Sequence, residues 1–564
     1  MFSTYHGGDR FDDARGVAVD ANGFVYVVGQ SDSRDLSGDP VGGKPLTSAV
    51  FRGYLTKYGP DGREVVWRKW IGGSSNTVAN AVAVDHLGDI FVAGTTGARD
   101  LPLKNPVQDK QPGLNIAFLM KFNADGELLF STYFGGERNE EGKALAVDAQ
   151  NNVYLAGRAT STTMPTVNAL QAKFGGSEDG FVAKYSATDL RLAYATYVGG
   201  DGADQIHSIA VGPDDSLYVT GETMSAGMAT PNAYIRQMPS WSSFVARIKP
   251  DGTGLEYFTY IGWRGGYTTA RTIAVDNQGR AWVGGHTSVK EMPTTDGALQ
   301  RGYAGGLRDG FFLRLSDDGQ RSDYTSYFGG GNASGPGDPD EYISALKIDA
   351  YGHLHIAGQT NSPSIPYLFR EAQNYFAGAF DNFLARVDIE NNQVIYSTWW
   401  GGAKQDSPAS IALGPGEAVT VVGSTESTDT PVTESAVQKQ LGSASGDGFA
   451  MQFCDPWPSY VFTGEWNHEF EYVKGSGVIP EAREIEVVTG CRQKFPIENN
   501  APEVEGGGDW LKVTADGEML PMKLKLELSN LDSLAAGEYK VFIRVRVPDA
   551  YHPLLEIPVV LRVS

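Results

Sequence analysis

The sequence lacks the features that mark several common classes of protein. Only two of its 564 residues are cysteine, Cys454 and Cys491, which excludes a disulfide-built scaffold and a multi-cysteine metal site. No apolar run approaches the ~18 residues of a membrane helix, and the longest, such as 557–563, have the length of strands. The first residues contain neither the basic flank nor the apolar segment of a signal peptide, so we expect any secretory leader to be absent from this chain.

Positive charge is also scarce. The chain has 46 Lys and Arg residues against 68 Asp and Glu residues, which gives a formal net charge of −22 at pH 7. This excess of negative charge argues against a nucleic acid or an anionic membrane as partner, because both would repel it. Such a charge could attract cations or basic ligands, or it could simply keep the protein soluble.

Glycine and aromatic residues are plentiful instead. The chain has 70 glycines, 26 tyrosines, 26 phenylalanines and 10 tryptophans, and this aromatic content excludes global disorder. A chain of 564 residues is too long for one ordinary core, so we expect several domains or a repeat architecture. Many short strands joined by glycine turns would account for both enrichments.

One unit recurs seven times along the chain. Its clearest part is an apolar run ending in a sequence like VAVD, then a turn and an alternating strand that ends in glycine. The seven copies are 17–29, 82–94, 145–157, 209–221, 273–285, 346–358 and 411–423. Two more alternating segments follow each of the first six copies, often joined by an Asp-Gly turn of the kind that favours hairpins. Four strands in roughly 64 residues, repeated seven times, predict an all-β protein with a seven-bladed β-propeller.

The two ends of the repeat region predict how the ring of blades closes. In the other blades the fourth strand ends in an aromatic residue and glycine, as in STYFGG at 131–136. The seventh blade has its third strand at 448–453, and no such fourth strand follows it. The matching sequence, FSTYHGG, lies at 2–8 instead. We therefore expect the N-terminal strand to pair with the last third strand, closing the ring and removing an open sheet edge.

Several short motifs carry a resemblance to a known family. MPTTDGALQ at 292–300, MPTVNALQ at 164–171 and DGFVAK at 179–184 accompany the STYFGG and VAVD sequences in a fixed order. Residues 1–454 thereby resemble the bacterial seven-bladed β-propeller repeat called SBBP. The resemblance implies a propeller from a secreted or surface protein of bacteria or archaea. It implies no particular chemistry, because most members of that family have none assigned.

The repeat stops after Cys454, and residues 455–564 predict a second all-β domain. Alternating runs at 485–488, 522–528, 540–547 and 557–563 fit the strands of a β-sandwich of this size. The pattern of a Trp-Leu strand, an alternating strand and L-x-x-G-x-Y resembles the BACON and related bacterial immunoglobulin-like modules. The domain organisation expected is therefore 1–454 propeller and 455–564 immunoglobulin-like sandwich. Whether Cys454 and Cys491 form a disulfide between the domains is left open.

A recurrent acidic position precedes the first strand of most blades. It is occupied by a carboxylate in five blades and by threonine in two, and its residues are Asp12, Thr77, Glu140, Asp204, Thr268, Glu341 and Asp406. One hypothesis is an acidic collar that binds Ca²⁺ or a cationic ligand, since hard cations require several oxygen ligands. The alternative is that each carboxylate accepts backbone N–H bonds within its own loop, and repetition in most blades favours this alternative.

Departures from the repeat are the candidates for a specific site on the face that carries the long loops. They are His6, His207, Arg264, Tyr267 and His286, with His207 expected in a loop before the first strand of its blade. In a polysaccharide lyase, Arg would neutralise a uronate carboxylate while His or Tyr moves a proton. In a lectin, Tyr267 would stack on a sugar ring. Drift in surface loops explains the same residues without any function.

No motif of a known catalytic class occurs in a fitting context, so the sequence favours a non-catalytic module and leaves the question of catalysis open. We expect a secreted or cell-surface binding or structural protein whose long-loop face engages a glycan, a protein or a neighbouring copy. The alternatives are a carbohydrate-active lyase on the same face and a subunit of an extracellular assembly. No nucleic-acid partner and no membrane-spanning segment are expected, and the chain is open to being a fragment of a longer protein.

Overall fold

The computed structural model describes residues 2–43, 50–239, 241–331, 338–365, 373, 375–453, 461–463, 468–489, 495–496, 502–505, 509–520, 522–546 and 554–564. The chain divides into two compact units. The first consists of residues 1–414 and 419–452, and the second of residues 415–418 and 453–564. The two cysteines, and with them the possible disulfide, lie outside the described residues.

Within its described residues, the first unit contains seven β-sheets of closely similar construction. The strands in chain order, grouped by sheet after the N-terminal strand, are Phe2–His6 (β1); Asp12–Val19 (β2), Val25–Ser31 (β3), Asp39–Pro40 (β4), Arg52–Tyr58 (β5) and Val65–Ile71 (β6); Thr77–Val84 (β7), Ile90–Thr96 (β8), Ile116–Phe122 (β9) and Leu128–Phe134 (β10); Glu140–Val147 (β11), Val153–Ala159 (β12), Asp179–Tyr185 (β13) and Leu192–Val198 (β14); Asp204–Val211 (β15), Leu217–Thr223 (β16), Ser242–Ile248 (β17) and Leu255–Ile261 (β18); Thr268–Val275 (β19), Ala281–Thr287 (β20), Asp309–Leu315 (β21) and Ser322–Phe328 (β22); Glu341–Ile348 (β23), Leu354–Thr360 (β24), Asp381–Asp388 (β25) and Gln393–Trp400 (β26); Asp406–Leu413 (β27), Val419–Thr425 (β28) and Asp447–Phe453 (β29). We number these sheets 1 to 7.

Each sheet is an antiparallel meander, the arrangement expected of a propeller blade. Sheet 1 carries the two-residue strand β4 as a fifth, parallel edge strand. Sheet 7 takes its fourth strand from the other end of the chain, because β1 pairs antiparallel with β29. In that pairing Phe2 lies opposite Gln452 and His6 lies opposite Gly448. The N-terminal strand therefore occupies the position in sheet 7 that the sequence predicts.

We call the first long strand of each sheet its innermost strand; these strands are β2, β7, β11, β15, β19, β23 and β27. Each of them contains a β-bulge at its fourth residue. In β15, for example, the register shifts between Ile206 and Ser208, so His207 has no partner across the ladder. The shift brings a backbone carbonyl close to the glycine that ends the apolar part of the second strand. A Cβ atom on Gly221 would lie 1.8 Å from the carbonyl oxygen of Gln205, and the other six such glycines meet a carbonyl at 2.1 Å or less. The repeated glycine is thus required by close backbone approach.

The apolar cores lie between neighbouring sheets. Phe118 and Met120 of β9 pack against Val28 and Leu55 of sheet 1, and all four are fully buried. A similar cluster, which includes Phe2 of β1, joins sheet 7 to sheet 1. Each innermost strand contacts the innermost strand of the next sheet, and β27 of sheet 7 contacts β2 of sheet 1.

In five of the seven sheets the aromatic residue near the end of the fourth strand is a tyrosine that holds the long loop of its own sheet. Tyr197 is representative: its hydroxyl donates to the carbonyl of Ser161 at 2.8 Å and accepts from the N–H of Met164 at 3.1 Å. Tyr5 of β1 makes the same two contacts in sheet 7, with Ser427 and Thr430. The recurrence of STY and MPT sequences therefore reflects one loop-anchoring device, since a buried phenol requires polar partners.

The second unit contains two four-stranded sheets and a small two-stranded one among its described residues. Its strands are Val461–Thr463 (β30), His468–Tyr472 (β31), Arg483–Thr489 (β32), Phe495–Pro496 (β33), Glu503–Glu505 (β34), Leu511–Ala515 (β35), Met519–Leu520 (β36), Met522–Leu528 (β37), Gly537–Arg546 (β38) and Leu554–Val563 (β39). The larger sheets have the strand orders β30-β32-β37-β35 and β31-β39-β38-β34. They share one core, in which Leu524 and Leu526 of the first meet Ile543 and Ile557 of the second.

Helical structure is confined to three short 3₁₀ turns among the described residues, at Val41–Gly43, Pro415–Glu417 and Leu531–Ser533. Within that part of the chain, no helix has the length and apolar character that crossing a bilayer requires.

Candidate functional site

The bulged residue of each innermost strand lines a central cavity of about 190 Å³. Residues from all seven sheets border this cavity, and the seven bulge positions are Arg15, Asn80, Lys143, His207, Arg271, Ser344 and Ala409. A bulge turns its extra residue out of the ladder, which explains how an inner strand presents a long polar side chain to the centre. The centre of the unit is therefore polar, and basic groups contribute to it.

The bulge residues of sheets 1 to 3 are tied to their neighbours by hydrogen bonds. Arg15 Nη1 donates to Asn80 Oδ1 at 3.1 Å, and Asn80 Nδ2 donates to a backbone carbonyl of sheet 3 at 2.8 Å. Lys143 Nζ donates to Gln205 Oε1 at 2.7 Å and lies 3.6 Å from a carboxylate oxygen of Glu141. Because these hydrogen bonds engage their polar atoms, the bulge residues on this side of the central cavity have a structural role.

The other side of the centre is open, because sheets 6 and 7 have the small residues Ser344 and Ala409 at the bulge position. A larger cavity of about 530 Å³ lies there, on the face that carries the long loops. We call it the mouth cavity, and its lining residues are His207, Arg271, His286, Tyr342, Ile343, Ser344, Gln359, Phe380, Gln405, Pro408 and Ala409. Its position breaks the sevenfold repetition, as a site for one specific ligand must.

The carboxylate of Glu222, the imidazole of His207 and the guanidinium of Arg271 lie close together beside the mouth cavity. Glu222 Oε1 lies 3.4 Å from His207 Nε2 and 3.9 Å from an Arg271 guanidinium nitrogen, while Glu222 Oε2 accepts from Gln205 Nε2 at 3.0 Å. Burial opposes ionisation, but the neighbouring His207 and the charge of Arg271 lower the pKa of Glu222 to about 2. Burial lowers the pKa of His207 below its usual value. Glu222 is therefore charged and His207 neutral at physiological pH.

His286, which also lines the mouth cavity, lies between two tyrosines. Its ring centroid is 4.8 Å from that of Tyr342 and 6.3 Å from that of Tyr267, edge to face in both cases. His286 is 4% exposed, and its Nδ1 has no hydrogen-bond partner among the residues that the structure describes. Burial, with the charges of Arg271 and Arg308, lowers the pKa of His286 to about 3. The ring is neutral, and one nitrogen is free to meet a ligand.

Tyr342 is held rigidly in the wall of the mouth cavity. Its hydroxyl donates to Asp340 Oδ2 at 2.6 Å, and the same carboxylate accepts two hydrogen bonds from Arg308 at 2.6 and 2.7 Å. The Arg308 guanidinium lies 4.1 Å from the centroid of the Tyr342 ring. Such a bidentate pair with a stacked ring fixes the shape of the wall before any ligand arrives.

The structure brings together some of the candidates from the sequence and separates others. His207 and His286 both line the mouth cavity, and Tyr267 contacts His286 from the loop above. Arg264 is exposed on that loop and does not line the cavity. His6 is buried in sheet 7 against Tyr58 and Tyr54 of sheet 1, and burial lowers its pKa well below the usual value. The five residues therefore do not converge in one cleft.

Two placements from the sequence are wrong in detail. The recurrent carboxylates do not precede the first strands of their sheets but are the residues at which those strands begin, as Asp204 is in β15. His207 belongs to strand β15, and not to the loop before it. The sequence QIHSIAV interrupts the alternation at the bulge, so the run of alternating residues is broken where the strand in fact continues.

Arg271 and Tyr342 are functional candidates that sequence reasoning missed. Both lie within ordinary-looking innermost strands, where the repeat itself draws attention to the apolar positions. The signal was present: aligned position by position, the bulge residues vary from arginine to alanine, whereas the apolar positions around them barely vary. The aligned repeats do not reveal the bulge, however, and therefore do not show that this position faces the centre.

The recurrent carboxylates hydrogen-bond within their own sheets. In the four shorter loops, the N–H of the residue four positions earlier donates to the carboxylate, as Gly200 does to Asp204 at 2.7 Å. A serine of the next long loop donates to the same oxygen in three sheets, through Ser33, Ser225 and Ser427. In the two sheets with threonine, Thr77 and Thr268 instead bond the threonine opposite, at 2.7 and 3.0 Å. This geometry is that of a loop-organising device.

The calcium hypothesis for Asp12, Glu140, Asp204, Glu341 and Asp406 stays a prediction. The five carboxylates are spread over five different sheets, so each would need further ligands from its own surroundings. Within the part of the chain that the structure describes, no group of three or more His, Cys, Asp or Glu side chains is placed to hold a metal ion.

Replacing Asp406 distinguishes the two interpretations. We expect Asp406→Ala to lower the free energy of unfolding by about 2–3 kcal/mol, because it leaves a buried N–H and the Ser427 hydroxyl without an acceptor. Asp406→Thr should recover part of that loss through a bond to Thr425, its partner across the ladder. Thermal unfolding in calcium and in chelator is the measurement, with the exposed Asp125→Ala as control. Stabilisation by calcium that Asp406→Ala abolishes would establish the metal instead.

A second set of carboxylates faces the first at four of the junctions between sheets. Strands β13, β21, β25 and β29 each begin with aspartate, and the pairs are Asp179 with Asp204, Asp309 with Glu341, Asp381 with Asp406, and Asp447 with Asp12. The third pair lies around Gly401: a Cβ there would be 2.4 Å from Asp381 Oδ1 and 2.9 Å from Asp406 Oδ2. Both carboxylates are therefore close together and fully buried.

Burial and the neighbouring carboxylate make these aspartates hard to ionise. Burial is the larger cause and hydrogen bonds from loop N–H groups oppose it, while the facing carboxylate adds to it for Asp179, Asp381 and Asp447. The pKa of Asp179 is raised to about 6, that of Asp381 to about 7 and that of Asp447 to about 7. In the remaining pair, the pKa of Asp309 is raised to about 7 and that of Glu341 to about 8.

Comparison with protein families supports the repeat found in the sequence. The β-propeller repeat SBBP matches residues 2–37 and 66–102. The regulatory protein FlaEY of Caulobacter vibrioides is 24% identical over 300 residues, which cover 50% of this chain and 30% of that protein. The present chain thus spans less than a third of the length of that relative.

The solved structures that this chain matches are remote from it both in sequence and in shape. A gluconolactonase from Xanthomonas campestris is 14% identical, with 64% of this chain and 86% of that chain covered and a TM-score of 0.30. The extracellular domain of a putative one-component system from B. thetaiotaomicron is 10% identical, with 98% and 74% covered and a TM-score of 0.21. Likenesses this distant carry no argument about activity.

Proposed function

We propose that this protein is an extracellular ligand-binding module whose first unit is a closed seven-bladed propeller and whose second unit is an immunoglobulin-like sandwich. The mouth cavity is its binding site, and the ligand is a glycan small enough to enter. The asymmetry of the centre carries this proposal: two of seven bulge positions are small, and a cavity of about 530 Å³ opens beside them and the bulge residues His207 and Arg271.

Closure of the ring is supported by the order of contacts between the sheets. The innermost strands contact one another in the sequence of the sheets, and the contact of β27 with β2 joins the last to the first. The cavity bordered by all seven innermost strands is what a ring of blades would enclose.

The lining supports recognition of a polar ligand. The volume of the mouth cavity falls within the ~300–1,000 Å³ typical of small-molecule sites. Its lining combines convergent polar side chains, such as His286, Gln359 and Arg271, with apolar ones. The rigid Tyr342 wall lowers the entropic cost of binding, because less of the site has to be ordered. A sugar with several hydroxyl groups matches this mixture of donors, acceptors and aromatic faces.

Binding fits the titration behaviour of the site better than catalysis does. A general base is most effective when its pKa lies near the working pH. The pKa of His286 is about 3, the pKa of His207 is also lowered by burial, and the Tyr342 hydroxyl is engaged with Asp340. The histidines are suited to hydrogen-bonding a ligand and poorly suited to removing a proton from it.

Filling the mouth cavity should abolish binding. We expect Ser344→Trp and Ala409→Trp to lower the affinity for a glycan ligand by more than about tenfold, since each places a large ring in the space that the ligand needs. A glycan array identifies the ligand, and calorimetric titration then compares the variants.

Asn80→Trp is the matched control for these substitutions. Asn80 holds the same bulge position in sheet 2 and borders the central cavity, but it does not line the mouth cavity. Equal loss of binding in all three variants would place the site elsewhere. A lyase assay on acidic polysaccharides belongs in the same experiment, because release of an unsaturated uronate product would overturn the non-catalytic role.

A further inference from the structure

Arg271 differs from the other basic residues near the centre of the unit in how little of its donor capacity is used. Its side chain is 46% exposed, and its nearest charged neighbour is Glu222 at 3.9 Å, beyond hydrogen-bond distance. Among the residues that the structure describes, its guanidinium makes no hydrogen bond. A guanidinium has five N–H donors arranged as a planar fork. In Arg271 that fork is left facing the mouth cavity.

The neighbouring basic residues show what a structural role looks like at the same depth. Arg15 bonds both Asp13 and Asn80, and the guanidinium of Arg158 lies between Glu141 and Glu178 at 2.7 and 2.5 Å. Each of these cations has a carboxylate within contact distance that neutralises it. Glu222 is directed instead towards His207 and Gln205, so it neutralises Arg271 only in part.

His286 supplies a second, independent observation that points to a ligand in the mouth cavity. The residue is only 4% exposed and lines the mouth cavity, and its Nδ1 has no hydrogen-bond partner among the described residues. Leaving a buried polar nitrogen without a hydrogen bond is unfavourable, and a hydrogen bond from a ligand hydroxyl would remove that cost. The neutral imidazole can accept or donate such a bond, depending on its tautomer.

The rim of the cavity offers a flat apolar surface as well. Tyr267 is 43% exposed on the loop above His286, and its ring meets the His286 ring edge to face. An exposed aromatic ring beside polar groups suits the C–H face of a pyranose. Gln359 contributes an amide, whose Oε1 already accepts from Ser407 Oγ at 2.9 Å.

We propose that the ligand of the mouth cavity is an acidic sugar, a uronate, whose carboxylate binds the guanidinium of Arg271 while a ring hydroxyl bonds His286. This inference rests on the proposed function and names the class of ligand. Two parallel N–H···O bonds from arginine to a carboxylate are stronger and more directional than a contact with a neutral hydroxyl. Arg271 is thus a half-exposed cation on a chain with a net charge of −22.

Titration with trigalacturonic acid, its methyl ester and the neutral galactose trisaccharide tests the inference. We expect the acid to bind at least about tenfold more tightly than the ester or the neutral sugar, with an affinity that falls as salt is raised. Arg271→Gln should remove this preference, so that the acid and the neutral sugar bind with similar affinity. Arg271→Lys should keep only part of it, because an ammonium cannot form the two parallel bonds.

Arg264→Gln is the matched control, since Arg264 is an exposed arginine of the loop that precedes the same strand and lies outside the cavity. It should bind the acid as the native chain does. Equal affinity for acid and ester, an Arg271→Gln variant with unchanged preference, or no binding of the acid would each overturn the inference. If neutral sugars bind and Ser344→Trp abolishes that binding, the proposed function stands while the uronate assignment fails. If Ser344→Trp has no effect on any bound sugar, the proposed function itself fails.

Discussion

Deleting residues 1–8 is expected to prevent the first unit from folding cooperatively. Strand β1 completes sheet 7, and its side chains Phe2 and Tyr5 are 1% and 2% exposed. Losing two buried aromatic side chains alone costs on the order of 3–5 kcal/mol each, which rivals the whole stability of an ordinary domain. The deletion would also leave β29 as an open, apolar edge that favours aggregation.

A covalent link tests the same closure without removing anything. Thr4 lies directly opposite Ala450, so Thr4→Cys with Ala450→Cys should form a disulfide in a background where Cys454 and Cys491 are serine. The link closes a loop of nearly the whole propeller, and the chain-entropy relation gives about 6 kcal/mol of stabilisation as its upper figure. Thermal unfolding with and without reductant measures the gain.

The out-of-register variant Thr4→Cys with Gln452→Cys is the control, since Gln452 lies opposite Phe2, two residues away. It should form no disulfide under the same conditions. A deletion variant that unfolds like the native chain, or equal cross-linking of both cysteine pairs, would contradict closure by β1.

Stability is expected to fall as the pH rises from about 4 to about 8. The four buried carboxylate pairs are the reason, because one member of each holds a proton in the folded chain that it releases on unfolding. Their folded pKa values are raised to between about 6 and about 8, as for Asp179 and Glu341, against about 4 for an unfolded carboxyl.

The sign follows from these raised values. A group whose pKa is higher in the folded state stabilises the fold fully below its unfolded pKa, and that stabilisation is lost as the pH rises through the folded pKa. The loss begins near pH 4 and is complete near pH 8, on the order of 3 kcal/mol for each pair. Denaturant unfolding across this range, with the number of protons released on unfolding, is the measurement.

Asp381→Asn is the informative variant for this prediction. It removes one ionisable group and retains an amide that can donate to the facing Asp406 carboxylate. We expect a shallower pH dependence by about one proton and greater stability than the native chain near pH 8. Asp125→Asn, on an exposed hairpin turn, changes the net charge equally and should leave the slope unaltered. If the pH dependence of stability in Asp381→Asn is unaltered, Asp381 does not hold a proton in the folded chain. Calcium-dependent stabilisation that is lost in this variant would point to a bound cation instead.

Much of the architecture could be predicted because it is local and repeated. The alternation of side chains, the Asp-Gly turns and the STY and VAVD sequences define four strands per unit, and the structure has such sheets with β1 in the predicted position. The strands of the second unit were also predictable, since MKLKLEL at Met522–Leu528 alternates buried and less buried residues as a half-exposed strand does. Each of these features is determined by neighbours close in sequence or by a strong periodicity.

The site was predicted less well because it is made by elements far apart in sequence. His207 and His286 were identified as departures from the repeat, and they do line one cavity. Arg264 and His6 were equally conspicuous departures, yet one is exposed on a loop and the other is buried in sheet 7. A departure from a repeat shows that a position is unlike its equivalents, but it does not show which departures meet.

The sequence by itself determined the all-β class, the repeating four-stranded unit and the glycines and carboxylates that recur in it, since short-range periodicity and turn chemistry are written in the order of residues. Only the tertiary structure decided which side chains face the centre. A bulge in each innermost strand turns one residue inward, and the small Ser344 and Ala409 leave room beside Arg271 and His286. The physical reason is that an empty volume belongs to no single residue: it arises where several strands, each ordinary in sequence, fail to fill the space between them.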